Sequence, residues 1–260
     1  MSCKAEGWTR SIARMSGAAL PADPFGPLAA VRLADGVLAA LSQAILDGRL
    51  KPGESLPSEA TLAARFGVSK QVVREAVRQL AALGAVQIGQ GRATRIVEMT
   101  DAQPLARFWR FAVGNTREGL AEAVELRRML EPQVARLAAQ RATEDGIARL
   151  TETLARMEAA LGDVRAWIPA DLDYHDQLAL MSGNRLVRLQ MQGLRPVLEE
   201  VLRHFNAGQR DRADWRRTYD RHRRVAEAVA RRDPDAAFAA MLDHFTAADD
   251  RLAQLFGRPT

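Results

Sequence analysis

Cysteine is almost missing from this 260-residue chain, in which Cys3 is the only one. An internal disulfide is therefore excluded, and a reducing cytoplasm is the expected setting. Long apolar runs are missing too. None approaches the roughly 20 residues that span a bilayer, so no membrane-spanning helix is expected. Lys4, Arg10 and Arg14 begin the chain as in a signal peptide, but Pro21, Asp23 and Pro24 interrupt it before an apolar stretch develops. Residues 1–28 are expected to be a disordered extension, with Met15 an alternative start. There is no exact internal repeat and no low-complexity tract beyond Ala-rich helix. At this length and 47% hydrophobic composition, two domains are expected rather than one.

The most informative stretch is residues 52–94, PGESLPSEATLAARFGVSKQVVREAVRQLAALGAVQIGQGRAT. Ser58 is placed to cap a short helix, with Glu59 in its positive first turn and Leu62, Ala63 and Phe66 on its apolar face. Gly67 ends that helix. Ser69 can cap the next, in which Val73, Ala76, Val77, Leu80 and Leu83 recur at helical spacing. At about 100° per residue, Lys70, Gln71, Arg74 and Arg78 gather on the opposite face. Gly84 closes this second helix. Residues 85–88 and 94–97 then alternate like two strands around a Gly-rich tip containing Gln90, Gly91 and Arg92. A capped helix, a Gly turn, a helix with a basic and amide-bearing face and a basic hairpin tip, in that order, describe a winged helix-turn-helix for the major groove of double-stranded DNA.

Charge follows the same division. Residues 29–97 hold nine Lys and Arg against five Asp and Glu, whereas residues 98–260 hold 25 of each sign. The positive excess sits in the segment that would meet phosphates, as counterion release requires. The motifs LPSE, FGVS and VREA, followed by a Gly-containing wing tip, closely resemble those of the GntR family of bacterial transcription regulators over about residues 31–97. The resemblance implies DNA contacts at Lys70, Arg74 and the Gln90-Gly91 tip. It also marks a departure, because two positions that commonly hold Arg are here Ala60 and Lys70. Arg grips a guanine edge with two donors, whereas Lys offers one compact charge.

After Val97 no second strand-like section occurs. Residues 99–115 read as a linker with a short helix over 105–113, and residues 116–256 as an all-helical domain. The expected helices cover 117–141, 144–160, 164–182, 185–205, 215–231 and 235–255. Gly183 supplies a stop, and Asp233-Pro234 an N-cap followed by Pro at the first helical position. The fold class is therefore mainly α: an N-terminal winged helix-turn-helix (29–98, small α+β) and a C-terminal helical bundle.

In this half, ionisable residues lie on apolar stripes. Asp171 and His175 are four apart, on one helix face about 6 Å from each other. His222 shares a stripe with Tyr219, Ala226 and Val229, and His244 with Ala237, Met241 and Ala248. One imidazole on such a stripe is commonly a core residue. Three on three helices, with an Asp in register, suit a transition metal such as zinc, nickel or manganese. Arg127 falls between Val124 and Leu130 on an apolar side, so it must meet an anion. Either an Asp or Glu on a neighbouring helix pairs with it, or it clamps the carboxylate of a small organic acid. His204, near the stripe of Val197 and Val201, is a further candidate for that cavity.

The DLDYH sequence ending at His175, the runs ending at His222 and His244, the ELRRMLEP segment and the SGN at 182–184 resemble the FCD effector domain of the FadR subgroup. That resemblance implies metal binding by Asp171, His175, His222 and His244. Asp171, rather than Asp173, stands one helical turn from His175. The resulting expectation is a regulator, not an enzyme: a homodimer on a palindromic operator, controlled by a small carboxylate at a metal site. DNA contact is expected from Ser69, Lys70, Gln71, Arg74, Gln90, Gly91 and Arg92, and effector contact from Arg127 and His204. The alternatives are a sensor of the metal ion alone and a metal-dependent hydrolase, although the sequence offers no independent nucleophile or lid.

Overall fold

The computed structural model describes residues 30–89, 93–98, 100–114, 116–207 and 212–247. The expected 1–28 extension lies outside the described residues. Among those described are ten helices and one two-stranded sheet, divided between two compact units.

The N-terminal unit begins with α1 (Ala30–Leu46), where Ala34, Val37, Leu41 and Ala44 recur at helical spacing and are buried. No motif of residues 52–94 marks this helix, although the spacing of its apolar residues is the signal for one. Ser58 caps α2 (Glu59–Phe66) by accepting the Thr61 N–H at 3.1 Å, and Gly67 ends it at φ 65°. That left-handed conformation is cheap only without a Cβ. Ser69 Oγ accepts the Val72 N–H at 3.3 Å ahead of α3 (Lys70–Ala82), which buries Val73, Ala76, Val77 and Leu80. Leu83, expected on the same apolar side, is exposed because the helix ends at Ala82 and Gly84 turns the chain at φ 77°. β1 (Val86–Gln87) pairs antiparallel with β2 (Arg95–Ile96), Val86 opposite Ile96. These strands are shorter than the alternation suggests. Residues 53–56 line β2 through Ile96 N–H to the Glu54 carbonyl at 2.9 Å and Leu56 N–H to the Thr94 carbonyl at 2.8 Å. The wing-tip residues Gln90, Gly91 and Arg92 lie outside the described residues.

The other unit contains α4 (Gln103–Val113), α5 (Arg117–Gln140), α6 (Glu144–Ala159), α7 (Val164–Met181), α8 (Arg185–Ala207), α9 (Arg212–Ala230) and α10 (Pro234–Thr246). The expected helix over 235–255 extends beyond the described residues. Side-chain oxygens of Thr116, Thr143, Asp163 and Asp233 cap α5, α6, α7 and α10. These bonds satisfy backbone donors that no helix can satisfy for itself. Helices α5, α6, α7, α9 and α10 share one core, including Ala135, Leu150, Met157, Trp167, Tyr174, Leu178, Val229 and Met241. The inner face of α5 packs on α7, α9 and α10, so ionisable residues on that face are removed from water together.

Where α8 meets α4, space is short. A Cβ added to Gly193 would stand 2.8 Å from Leu105 Cγ and 3.1 Å from Leu105 Cβ. Replacing Gly by Ala in a helix gains about 1 kcal/mol of propensity, but overpacking costs about 1–3 kcal/mol. Gly193→Ala is therefore expected to lower the melting temperature followed by tryptophan fluorescence. A rise would mean that α4 yields at no cost.

Candidate functional site

The N-terminal unit presents one open polar face. Ser69, Lys70, Gln71, Arg74 and Arg78 are exposed while the opposite side of α3 is buried. Arg74 does not project freely. Its Nη2 donates to Glu59 Oε2 at 2.8 Å and its Nε donates to both carboxylate oxygens at 3.2 Å. This fork joins α2 to the exposed face of α3. The hydrogen bond, followed by the charge of the partner, raises the pKa of Arg74, while Glu59 is lowered chiefly by that same bond.

The second unit carries a buried ionisable cluster built by four helices. α7 provides Asp171 and His175, α9 His222, α10 His244, and α5 Arg127 and Glu131. One ligating atom from each of the three histidines lies within 4.8 Å of the others. Asp171 borders them, its Oδ1 at 3.1 Å from His222 Nε2 and its Oδ2 at 4.0 Å from His175 Nε2. Asp173 instead points to Arg156 and Arg195.

Two rings are oriented from behind. His222 Nδ1 donates to the Thr218 carbonyl at 2.8 Å, and the His222 carbonyl accepts the Tyr174 hydroxyl at 2.8 Å. His175 Nδ1 is in contact with Glu131 Oε2, and Arg127 Nε donates to Glu131 Oε1. In a neutral ring, a proton held at Nδ1 leaves Nε2 as a lone-pair ligand. Asp171 Oδ2, both ring nitrogens of His175, His222 Nε2 and His244 Nδ1 are buried without a hydrogen-bond partner of good geometry, His175 Nδ1 despite its contact with Glu131. A buried polar atom left unpaired costs about 1–3 kcal/mol, and here three imidazoles gather with Asp171 beside two of them. The cluster can therefore hold a metal ion, and a carboxylate with neutral imidazoles is a donor set that transition metals accept.

Electrostatics favour the ligating forms. Burial opposes ionisation of Asp171, but the close approach of His222, followed by His175 and Arg127, outweighs it, leaving a pKa of about 2. Burial likewise opposes ionisation of Glu131, and Arg127 with His175 holds it at about 2. Burial, with the neighbouring histidines and arginines, pushes His244 well below its ordinary value and so keeps it neutral.

Beside the cluster lies a cavity of about 60 Å³, room for a few water-sized groups. Arg127, Asp171, Thr218, Arg221, Asn206 and His244 give it polar walls, and Trp167, Val201 and Phe245 apolar ones. Arg127 is 5% exposed and stands over the Phe245 ring at 5.4 Å. Its anion is Glu131 on the same helix, not a residue of a neighbouring one, yet its Nη2 is buried without a hydrogen-bond partner. His204 does not line the cavity: its side chain is 50% exposed, and its Nδ1 meets the Glu200 carbonyl at 2.9 Å. The buried face of α8 is centred on Leu194, Leu198 and Val201, leaving His204 roughly 80° to one side at 100° per residue. Asn206, on the other flank, is buried and lines the cavity instead. Sequence reasoning missed Asn206, Arg221 and Glu131. Of these, Glu131 had a readable signal, standing four residues after a cation on an apolar stripe.

Residues 33–96 match the bacterial regulatory proteins of the gntR family, and residues 122–247 match the FCD domain. The HTH-type transcriptional regulator LutR of Bacillus subtilis is 34% identical over 223 residues, covering 82% of this chain and 97% of LutR. The HTH-type transcriptional repressor NanR of Klebsiella aerogenes is 32% identical over 232 residues, covering 84% of each chain. A solved GntR structure from Streptococcus agalactiae aligns with a TM-score of 0.62 and 27% identity, covering 84% of this chain and 99% of its own. Among the described residues, no helix is long and apolar enough to cross a membrane. The relatives regulate transcription and are not enzymes, and this chain belongs with them to the GntR family, in the FadR subgroup that joins a helix-turn-helix to an FCD effector domain.

Proposed function

We propose that this regulator senses a small organic acid at a divalent transition metal held by Asp171, His175, His222 and His244. The carrying observation is the gathering of three histidine ligand atoms within 4.8 Å of one another, with Asp171 beside them, next to a cavity that Arg127 also lines. A bound metal would supply Lewis acidity and coordination positions for oxygen ligands. Arg127, its Nε held by Glu131, would offer Nη2 to the acid, while the apolar walls exclude water. Arg221 on the cavity wall is a second cation, which favours an anionic effector over a sensor of the metal ion alone.

In this reading the protein acts in the cytoplasm as a homodimer on a palindromic operator. Ser69, Lys70, Gln71 and Arg74, with Gln90, Gly91 and Arg92 of the wing tip, contact the DNA. The acid alters operator affinity only through unequal affinity for two arrangements of the dimer.

Three outcomes are expected. Arg74→Ala should weaken specific operator binding by about 1–3 kcal/mol if Arg74 reads a base, and an unchanged anisotropy titration would count against this face. His222→Ala and His244→Ala should reduce metal content in elemental analysis while the N-terminal unit keeps its fold. Wild-type protein with no metal, and no thermal stabilisation by zinc, nickel or manganese, would sink the metal reading. Arg127→Ala should weaken the response of operator binding to an active carboxylic acid. An intact response with a general loss of stability would leave Arg127 as a core ion pair.

A further inference from the structure

Glu131 is 2% exposed, and each of its oxygens faces a nitrogen of another side chain. Oε1 accepts from Arg127 Nε, and Oε2 meets His175 Nδ1. Arg127 can only donate, and an imidazole nitrogen facing a carboxylate oxygen is held as a donor as well. A carboxylate satisfies two donors at once. An amide of the same shape has one oxygen and one NH2, so it satisfies one donor and confronts the other.

Resting on the metal and acid reading above, we infer that Glu131 is the positioning residue shared by the two halves of this site. It holds His175 as the Nδ1–H tautomer, which leaves Nε2 as the metal-facing lone pair. Through its other oxygen it fixes Arg127 by Nε, which leaves Nη2 as the free donor of a residue that lines the cavity. The cation that would meet the acid and an imidazole that would meet the metal are thus held by one side chain on α5. Glu131 touches neither ligand and acts through the groups that do. Its importance to metal binding is of the kind seen when a carboxylate behind a ligating histidine is removed, about 10–100-fold in affinity.

The test uses the full-length protein, stripped of metal by a chelator and labelled with 15N in its histidines. In the wild type, the His175 ring is expected to be the Nδ1–H tautomer, and finding the Nε2–H tautomer would overturn the inference. Glu131→Gln is expected to disturb that tautomer and to weaken zinc or nickel binding about 10–100-fold. In the double variant Arg127→Leu/Glu131→Gln, no guanidinium competes for the single amide oxygen. The Nδ1–H tautomer should return, and with it at least a tenfold share of the lost metal affinity. This variant also removes the stranded cation, so it serves if Glu131→Gln fails to fold. A Glu131 that only stabilises the core would lower the melting temperature and leave His175 and metal affinity unchanged, which would overturn the inference. If the wild type binds none of the metals, the metal reading fails, while the tautomer measurement still decides whether Glu131 holds His175.

Discussion

Charge balance inside a desolvated core is the constraint on which the C-terminal unit depends. Arg127, Glu131 and Asp171 are each almost wholly buried, as are His175 and His222. An ionised group in such a place is tolerated only when paired and hydrogen bonded. Removing one member of a buried ion pair costs about 3–5 kcal/mol, although replacing the whole pair by apolar residues is often neutral. Maximal stability therefore does not account for this cluster, because an apolar core would serve at least as well. Its polar atoms make sense as a set of directed donors and acceptors. Arg127 is held by Glu131, Glu131 also meets His175, and Asp171 faces His222.

The N-terminal unit obeys the opposite rule. Its core is apolar and its chemistry stands in solvent, with Lys70, Gln71, Arg74 and Arg78 on the exposed side of α3. Exposed pairs are individually weak, so the Arg74–Glu59 fork contributes direction rather than stability. A guanidinium already held as a planar fork loses less rotamer freedom when it meets an acceptor than one that sweeps through solvent. Glu59 thus does for an exposed cation, at lower energetic stakes, what Glu131 does for a buried one.

Much of this was legible in the sequence because the signals were local. Ser58, Gly67 and Asp233 announced helix ends through side-chain acceptors and a missing Cβ, and the structure places caps or turns at all three. The histidines were legible through periodicity, since an imidazole in register with buried apolar residues has to face the core. What was not legible was mutual orientation. No spacing within α9 or α10 says that His222 and His244 bring their ring centroids to 4.3 Å, because that approach is set by packing between helices. His204 misled for a related reason: a stripe of two valines fixes a direction only to within a residue or so, and α8 buries the opposite flank at Asn206. Glu131 was half legible: its place four residues after Arg127 marked it as a partner for that cation, but among the charges of ELRRMLEP only packing tells a buried glutamate from a solvated one.

The same charge balance gives the proposed effector response an order. The fully buried guanidinium of Arg127 and the carboxylates of Glu131 and Asp171 together leave one negative charge in excess, which favours a cation. A divalent ion would reverse that excess to one positive charge, and an organic carboxylate would then cancel it. Anion binding should accordingly be favourable after the metal and disfavoured before it. Because the groups come from α5, α7, α9 and α10, each step changes the forces between helices rather than within one. For such a step to reach the operator, the two dimer arrangements must differ in how closely they hold these groups, since a ligand bound equally well by both shifts neither. In the proposed response, the contacts from Arg127 through Glu131 to His175 would turn small helix displacements into changed ligand geometry, and by reciprocity ligand binding into helix displacement.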